Sequence, residues 1–231
     1  KKSTKLMFFH PSYLLLIPGM ILMFWAQNRV QSTYQKYAQV RSTMGMTGAQ
    51  VAQEILNRMG VHNVQIEPVA GQLTDHYDPS AKAVRLSEGV YGSDSLAAAA
   101  VAAHECGHVL QDVQGYKAMN VRAALVPAAN LGSNIGPMLV VVGVVLGSAG
   151  GIFVNIGIAL FLAVILFHVV TLPVEFDASN RALKLINEFG ILQGEENRAA
   201  KKVLDAAALT YVATALYSVL QLIQLLMMRR D

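Results

Sequence analysis

The chain has 231 residues, of which 54% are hydrophobic and 14% charged, and its mean hydropathy is positive. Soluble domains carry about 25% charged residues, so this composition argues for a small membrane protein and against an ordinary soluble domain. A net charge of only +3, with no basic block interleaved with aromatics, argues against nucleic acid as a partner, and the single cysteine, Cys106, excludes an internal disulfide framework.

Residues 1–6, KKSTKL, carry no initiator methionine, and Met7 offers a natural start. From Leu6 to Asn28 no residue is charged, and YLLLIPGMILMFWA with its flanks is long enough to cross a bilayer. Trp25 and Gln27 stand where a secretory signal would place small residues for cleavage, so an uncleaved membrane helix is expected. TGAQVAQEILNRMG opens on the cap-type Thr47 and closes on Gly60, the pattern of a short amphipathic helix. VQIEPV, QLTDHYD and KAVRLS read as short strands, the last two joined through DPSA as a hairpin. GSDSLAAAAVAAHECGHVLQDVQG then offers Ser93, Asp94 or Ser95 as a cap, an alanine-rich run of high helix propensity, and Gly115 as a stop.

Residues 123–174 contain no charge, far more than the roughly 20 residues one span needs. GSAGG (147–151) is a natural turn between spans near 126–147 and 152–173. Asn130, Ser133 and Asn134 read as groups that hydrogen-bond between helices. In TLPVEFDASNRALKLINEFG, Thr171 and Pro173 mark a helix start after the third span and Gly190 its end, with Glu175 and Asp177 in the first turns. AAALTYVATALYSVLQLIQLLMM (206–228) is a fourth span, with an interfacial amphipathic helix as the competing reading.

The chemistry concentrates in AAHECGHVLQ. Histidines four apart share a helical face, so His104 and His108 can present both imidazoles to one ion. Glu105 lies about 100° around the helix, within reach of a water on that ion without occupying a coordination position. This is the H-E-x-x-H arrangement of zinc peptidases, and shuffling this composition would yield it only about 0.005 times per chain. Cys106 points about 200° away from His104 and reads as a packed small residue.

A catalytic zinc needs a third protein ligand and an open position. Position 114 is Gln, where a third histidine would stand in the metzincin pattern, and Asp112 lies a further turn along the same helix. Three ligands on one helix would lie in a line, so another element must supply the third. Glu175 and Asp177 are the candidates. Each has the competing reading of a charge that stabilises a helix N-terminus, although a carboxylate beside a membrane span is costly enough to favour function. His168 reads as a structural histidine, and His10 and His62 have no evident partners.

AAHECGHVLQ, the charge-free hairpin and LPVEFDASNRAL together resemble the YugP-like family of bacterial membrane zinc metallopeptidases, as do LTDHYDP, VRLSE, LVPAAN and GSN. More distantly the layout is similar to gluzincins of the HtpX and CAAX-prenyl-protease type. The resemblance implies Zn2+ held by His104, His108 and Glu175, with Asp177 as the alternative third ligand or as a partner of a ligand histidine. It also implies that Glu105 is catalytic, the general base to a zinc-activated water in peptide-bond hydrolysis. One departure is Ser179, which stands where the wider pattern has an aspartate bonded to a ligand histidine. That role then falls to Asp177 or another group.

The expected fold is mainly α and integral to the membrane, with about four transmembrane helices, a zincin-like catalytic helix pair and a small β-hairpin or sheet on one side. Its parts are an N-terminal transmembrane helix (1–28), a peptidase region (29–125), a transmembrane hairpin (126–174), a helix with the third ligand (175–205) and a C-terminal transmembrane or interfacial helix (206–231). Of the 18 Lys and Arg residues, eight fall in 28–125 and five in 175–205. The positive-inside rule therefore puts the site on the cytoplasmic side of a bacterial cytoplasmic membrane.

The implied partners are a peptide or protein substrate and the lipid bilayer. Strand 82–87 or its hairpin partner offers an edge for an extended substrate. His76, Tyr77, Asn134, Asn180 and Arg181 are the candidates for a further oxyanion donor. The rival reading is a membrane adaptor or chaperone-like protein with a structural or vestigial zinc site.

Overall fold

The computed structural model describes residues 11–230, with the backbone alone at Arg230. The start expected at Met7, His10 and the first residues of the N-terminal span lie outside these. Two compact units divide the chain: one comprises residues up to Gln27, Asn120–Leu172 and Thr210 onward, the other Asn28–Met119 and Pro173–Leu209.

After a 3-10 turn at Pro11–Leu15, helix α1 runs Leu16–Ala38. It continues past Asn28, since no glycine or proline interrupts the chain between Gly19 and Gly45. Helix α2 (Gly48–Arg58) begins as its sequence predicts. The Thr47 hydroxyl accepts from the Gln50 backbone N–H, and the Gln50 side chain accepts from the Thr47 N–H, a reciprocal cap that satisfies two helix-end donors. The buried side chains Val51, Ala52, Ile55 and Leu56 recur at helical spacing on one face. Gly60 turns the chain out with φ 70°.

Strands β1 (Gln65–Val69), β2 (His76–Asp78) and β3 (Ala83–Ser87) form one sheet in the order β1-β3-β2. β2 and β3 are the expected antiparallel hairpin, while β1 pairs with β3 in parallel. Asp78 holds the hairpin turn, its Oδ1 accepting from the Ser80 and Ala81 N–H groups at 2.9 and 3.1 Å. Arg85 on the central strand ties the sheet across, bonding Glu67 at 3.0 Å and Asp78 at 2.8 Å. Strand 82–87 therefore has a neighbour on each side and has no edge to offer an extended ligand. Within this sheet, edges belong to β1 and β2.

A short helix, α3 (Glu88–Tyr91), leads to α4 (Leu96–Val113), which carries the motif. Of the three possible caps, Ser95 is the one used, its hydroxyl accepting from the Ala98 N–H at 3.2 Å. Leu96 to Ala100, Ala102 and Ala103 are all buried. A helix buried on nearly every side suits alanine, whose single methyl lets α2, the sheet and the partner helix approach closely. Ile55, Leu56, Val84, Leu86, Val90, Val109, Ile186 and Leu192 complete this core.

Helices α5 (Lys117–Val145), α6 (Gly151–Glu188) and α7 (Glu195–Arg230) follow. Those at Lys117–Val145, Gly151–Glu188 and Glu195–Arg229 are long and apolar enough to cross a membrane. They contain the expected hairpin spans and the C-terminal span, and α1 is not among them by its described residues. The expected turn between α5 and α6 is a 3-10 turn at Gly147–Ala149. The hairpin packs through glycine: a Cβ on Gly157 would lie 2.6 Å from the carbonyl oxygen of Gly136, an approach that only a missing side chain permits. Val140, Val154, Ile158, Phe161, Val164 and Leu225 fill the core of this unit. Ser133 and Asn134 donate to the Asn130 carbonyl of their own helix at 3.1 and 2.8 Å, where bonds to another helix were expected.

Pro173 does not begin a helix. It lies inside α6, which runs unbroken from the apolar segment to Glu188. Proline forfeits one backbone hydrogen bond in such a position, a loss that apolar spanning helices accommodate. Glu175 and Asp177 are therefore interior to a helix, and stabilisation of a helix N-terminus does not account for them. The expected end at Gly190 is real, with φ 68° just beyond the last helical residue.

Candidate metal centre

The motif helix α4 and the Pro173–Glu188 part of α6 meet at one close approach. A Cβ on Gly107 would fall 2.4 Å from the carbonyl oxygen of Ala178, so this position has room only for hydrogen. One residue from Gly107 is His108; three residues before Ala178 is Glu175.

His104 and His108 present their rings edge to face, with centroids 4.8 Å apart. His104 Nε2 lies 3.3 Å and His108 Nε2 3.7 Å from Glu175 Oε2. Each of the three residues offers one ligand atom, and these atoms all lie within 4.8 Å of one another. Donors about 2.0–2.1 Å from a tetrahedral zinc would stand roughly 3.3–3.4 Å apart. The His104–Glu175 pair is at that spacing and the His108–Glu175 pair a few tenths of an ångström beyond it, and imidazole nitrogen with carboxylate oxygen is a donor set that suits the ion. His108 and Glu175 are buried, as is Glu105 beside them, while His104 is half-buried.

Asp177 does not join this cluster. Its Oδ2 accepts from Gln111 Nε2 at 2.8 Å and from Arg181 Nε. The second nitrogen-borne hydrogen of Gln111 goes to the Val174 carbonyl at 2.8 Å. Both partners are acceptors, which orients the amide and turns its oxygen to His108 Nδ1 at 3.0 Å. His104 has its own neighbour, since Ser179 Oγ lies 3.2 Å from His104 Nδ1. The departure at Ser179 thus keeps a hydrogen-bonding group beside the histidine. Gln111 is a residue that sequence reasoning missed, although its place one turn after His108 was a usable signal.

Burial pushes the Glu105 carboxyl above the usual carboxylate range, against the opposing pull of His104 and His108. Cys106 is buried with its thiol against the Ala52 carbonyl at 3.7 Å, and desolvation raises its pKa. It packs as its sequence position predicts. Asp112 is engaged elsewhere, accepting from Tyr77 Oη and Lys82 Nζ, both at 2.6 Å. Two of the candidate oxyanion donors are thereby committed, Tyr77 to Asp112 and Arg181 to Asp177. Asn134 donates within its own helix, Asn180 is exposed, and exposed His76 lies with Nδ1 2.8 Å from the Thr74 carbonyl. His62 is exposed and His168 half-buried, and neither belongs to the cluster.

Residues 12–230 match a protein family described as "Putative neutral zinc metallopeptidase". The chain is 45% identical over 213 residues to the "Putative membrane protease YugP" of Bacillus subtilis (strain 168), an alignment that covers 92% of this chain and 94% of that protein. No solved structure matches.

Proposed function

The chain belongs to the YugP-like neutral zinc metallopeptidases, and from that premise we propose that it is a membrane-embedded zinc endopeptidase whose metal is held by His104, His108 and Glu175. The observation that carries this reading is the convergence of three donors from two helices, two buried and one half-buried, with both imidazole nitrogens 3.3 and 3.7 Å from one carboxylate oxygen. When bound, zinc supplies Lewis-acid chemistry, polarising a carbonyl oxygen and lowering the pKa of water to about 7.

The protein's own part in the reaction falls to Glu105. Its carboxylate takes the proton of the attacking water and passes it to the departing amine. Burial suits it to this work, because a carboxylate of raised pKa is a stronger proton acceptor than an exposed one. With one negative charge from Glu175 and none from the two imidazoles, a bound divalent ion would keep a net positive charge at this centre. Gln111 and Ser179 hold the rings that face it. A peptide or protein segment is the substrate class.

The same reading places the centre in a bacterial cytoplasmic membrane, with the site facing the cytoplasm. Eight Lys and Arg residues in 28–125 and five in 175–205 support that orientation. The four-span arrangement counts the N-terminal segment as the fourth.

The test is Glu105→Gln in the full chain. Zinc content should stay at one per chain while cleavage of a peptide library falls by about 10²–10⁴. Undiminished cleavage by that variant, with contaminating protease excluded, would remove the enzyme reading and leave a metal-binding adaptor.

A further inference from the structure

Gln111 is fully buried, and its amide has no freedom of orientation. The nitrogen faces two groups that only accept, the Val174 carbonyl and Asp177 Oδ2. Turning the amide over would set its oxygen against both. Asp177 is itself held from the far side by Arg181, whose guanidinium also donates to Gln114 Oε1 and lies 5.6 Å over the Tyr116 ring.

An amide fixed in this way can meet His108 Nδ1 only as an acceptor. That requires the proton of a neutral imidazole to sit on Nδ1, and it leaves Nε2 with its lone pair facing Glu175. We propose that Gln111 is a positioning residue that fixes the tautomer of His108, and that Asp177 acts through it as the group that fixes the amide. The proposal rests on the reading of His108 as a metal ligand and extends it to two side chains that touch no metal. It gives Asp177 a role distinct from both a ligand and a cap.

The consequence is measurable without turnover. In the other tautomer Nε2 carries the proton, and a zinc ion approaching from the Glu175 side must first displace it. An unfixed ring loses part of its population to that form, and metal affinity drops.

The experiment is a chelator-competition titration of zinc on the purified full chain in detergent. It is paired with the absorption spectrum of the cobalt(II)-loaded protein and the melting temperature of the metal-free form. Gln111→Leu should weaken zinc binding by about 10–100-fold. Asp177→Leu should weaken it by about 3–10-fold, as expected for a step further out. Asp177→Asn, which keeps an acceptor for the Gln111 amide, should stay within about twofold of wild type. Cobalt bands should shift in the two leucine variants and not in Asp177→Asn.

If Gln111→Leu fails to fold, the Asp177 pair decides alone. Equal zinc affinity of Asp177→Leu and Asp177→Asn would overturn the proposal, as would a folded Gln111→Leu protein that binds zinc like wild type. Absence of zinc binding by the wild-type chain would instead sink the metal reading beneath it, so the two failures are distinguishable.

Discussion

Gly107 and Ala178 meet where the motif helix crosses α6, with only 2.4 Å between a Cβ placed on the glycine and the Ala178 carbonyl oxygen. This crossing sets how far the histidine pair stands from Glu175. Gly107→Ala must therefore push the helices apart, at a cost of about 1–3 kcal/mol. Thermal unfolding should show the loss, and zinc titration should show weakened binding even where the variant stays folded. A variant as stable and as metal-avid as wild type would mean that this contact does not set the site.

Removing the metal should destabilise the protein as well as silence it. Zinc at a hundred times its dissociation constant stabilises a native state by about 2.7 kcal/mol. A chelated sample should melt lower than a zinc-loaded one, and added zinc should restore both melting temperature and cleavage. His108→Ala and Glu175→Ala should melt at one temperature with or without zinc. A zinc-dependent shift that survives in both would place the ion elsewhere.

The ion pair behind the motif helix gives a pH signature of its own. Burial pushes the Asp112 carboxyl up, but the Lys82 ammonium and the Tyr77 hydroxyl outweigh it and hold its pKa below the usual carboxylate value. A carboxylate depressed in the folded state stabilises above its unfolded pKa, about 3.9, and that contribution disappears as pH falls through the folded value. Asp112→Asn should be less stable than wild type by about 1 kcal/mol near pH 7, a modest figure because Lys82 is 45% exposed. The gap should close below about pH 4. Denaturant melts at the two pH values check it, and a gap that widens in acid would reverse the assignment.

In the apolar hairpin, Gly157→Val should break the close packing against Gly136. A cost of about 1–3 kcal/mol is expected from overpacking. It should appear as a lower melting temperature in detergent, with zinc affinity unchanged because no donor of the metal cluster lies in this unit. Loss of zinc binding in a folded variant would contradict that separation.

Much of this was legible from local chemistry. Thr47 caps its helix as expected, Ser95 is one of the three caps the sequence offers for α4, and the turn at Gly147–Ala149 falls between the apolar runs, because caps and turns are decided within a few residues. The histidine pair follows from helical periodicity alone. What escaped depends on distant partners. The parallel pairing of β1 with β3, which buries strand 82–87 in the middle of the sheet, is fixed by packing that no local pattern records. Pro173 carries the signature of a helix start, since proline is favoured at the first helical position, whereas here the helix continues through it. The choice between Glu175 and Asp177 could not be made from spacing, since it turns on which carboxylate Gln111 and Arg181 occupy.

The alanines of α4 have a consequence for how this helix can vary. From Ala97 to Ala103 every alanine is buried and only Val101 is half-exposed, so a larger residue is accommodated on the side of Val101 alone. Variation at the alanines must run through exchanges among the smallest residues, or through paired changes in which α2 or the sheet gives up bulk at the same step. The room around the histidines is thus governed by the girth of the rod that bears them.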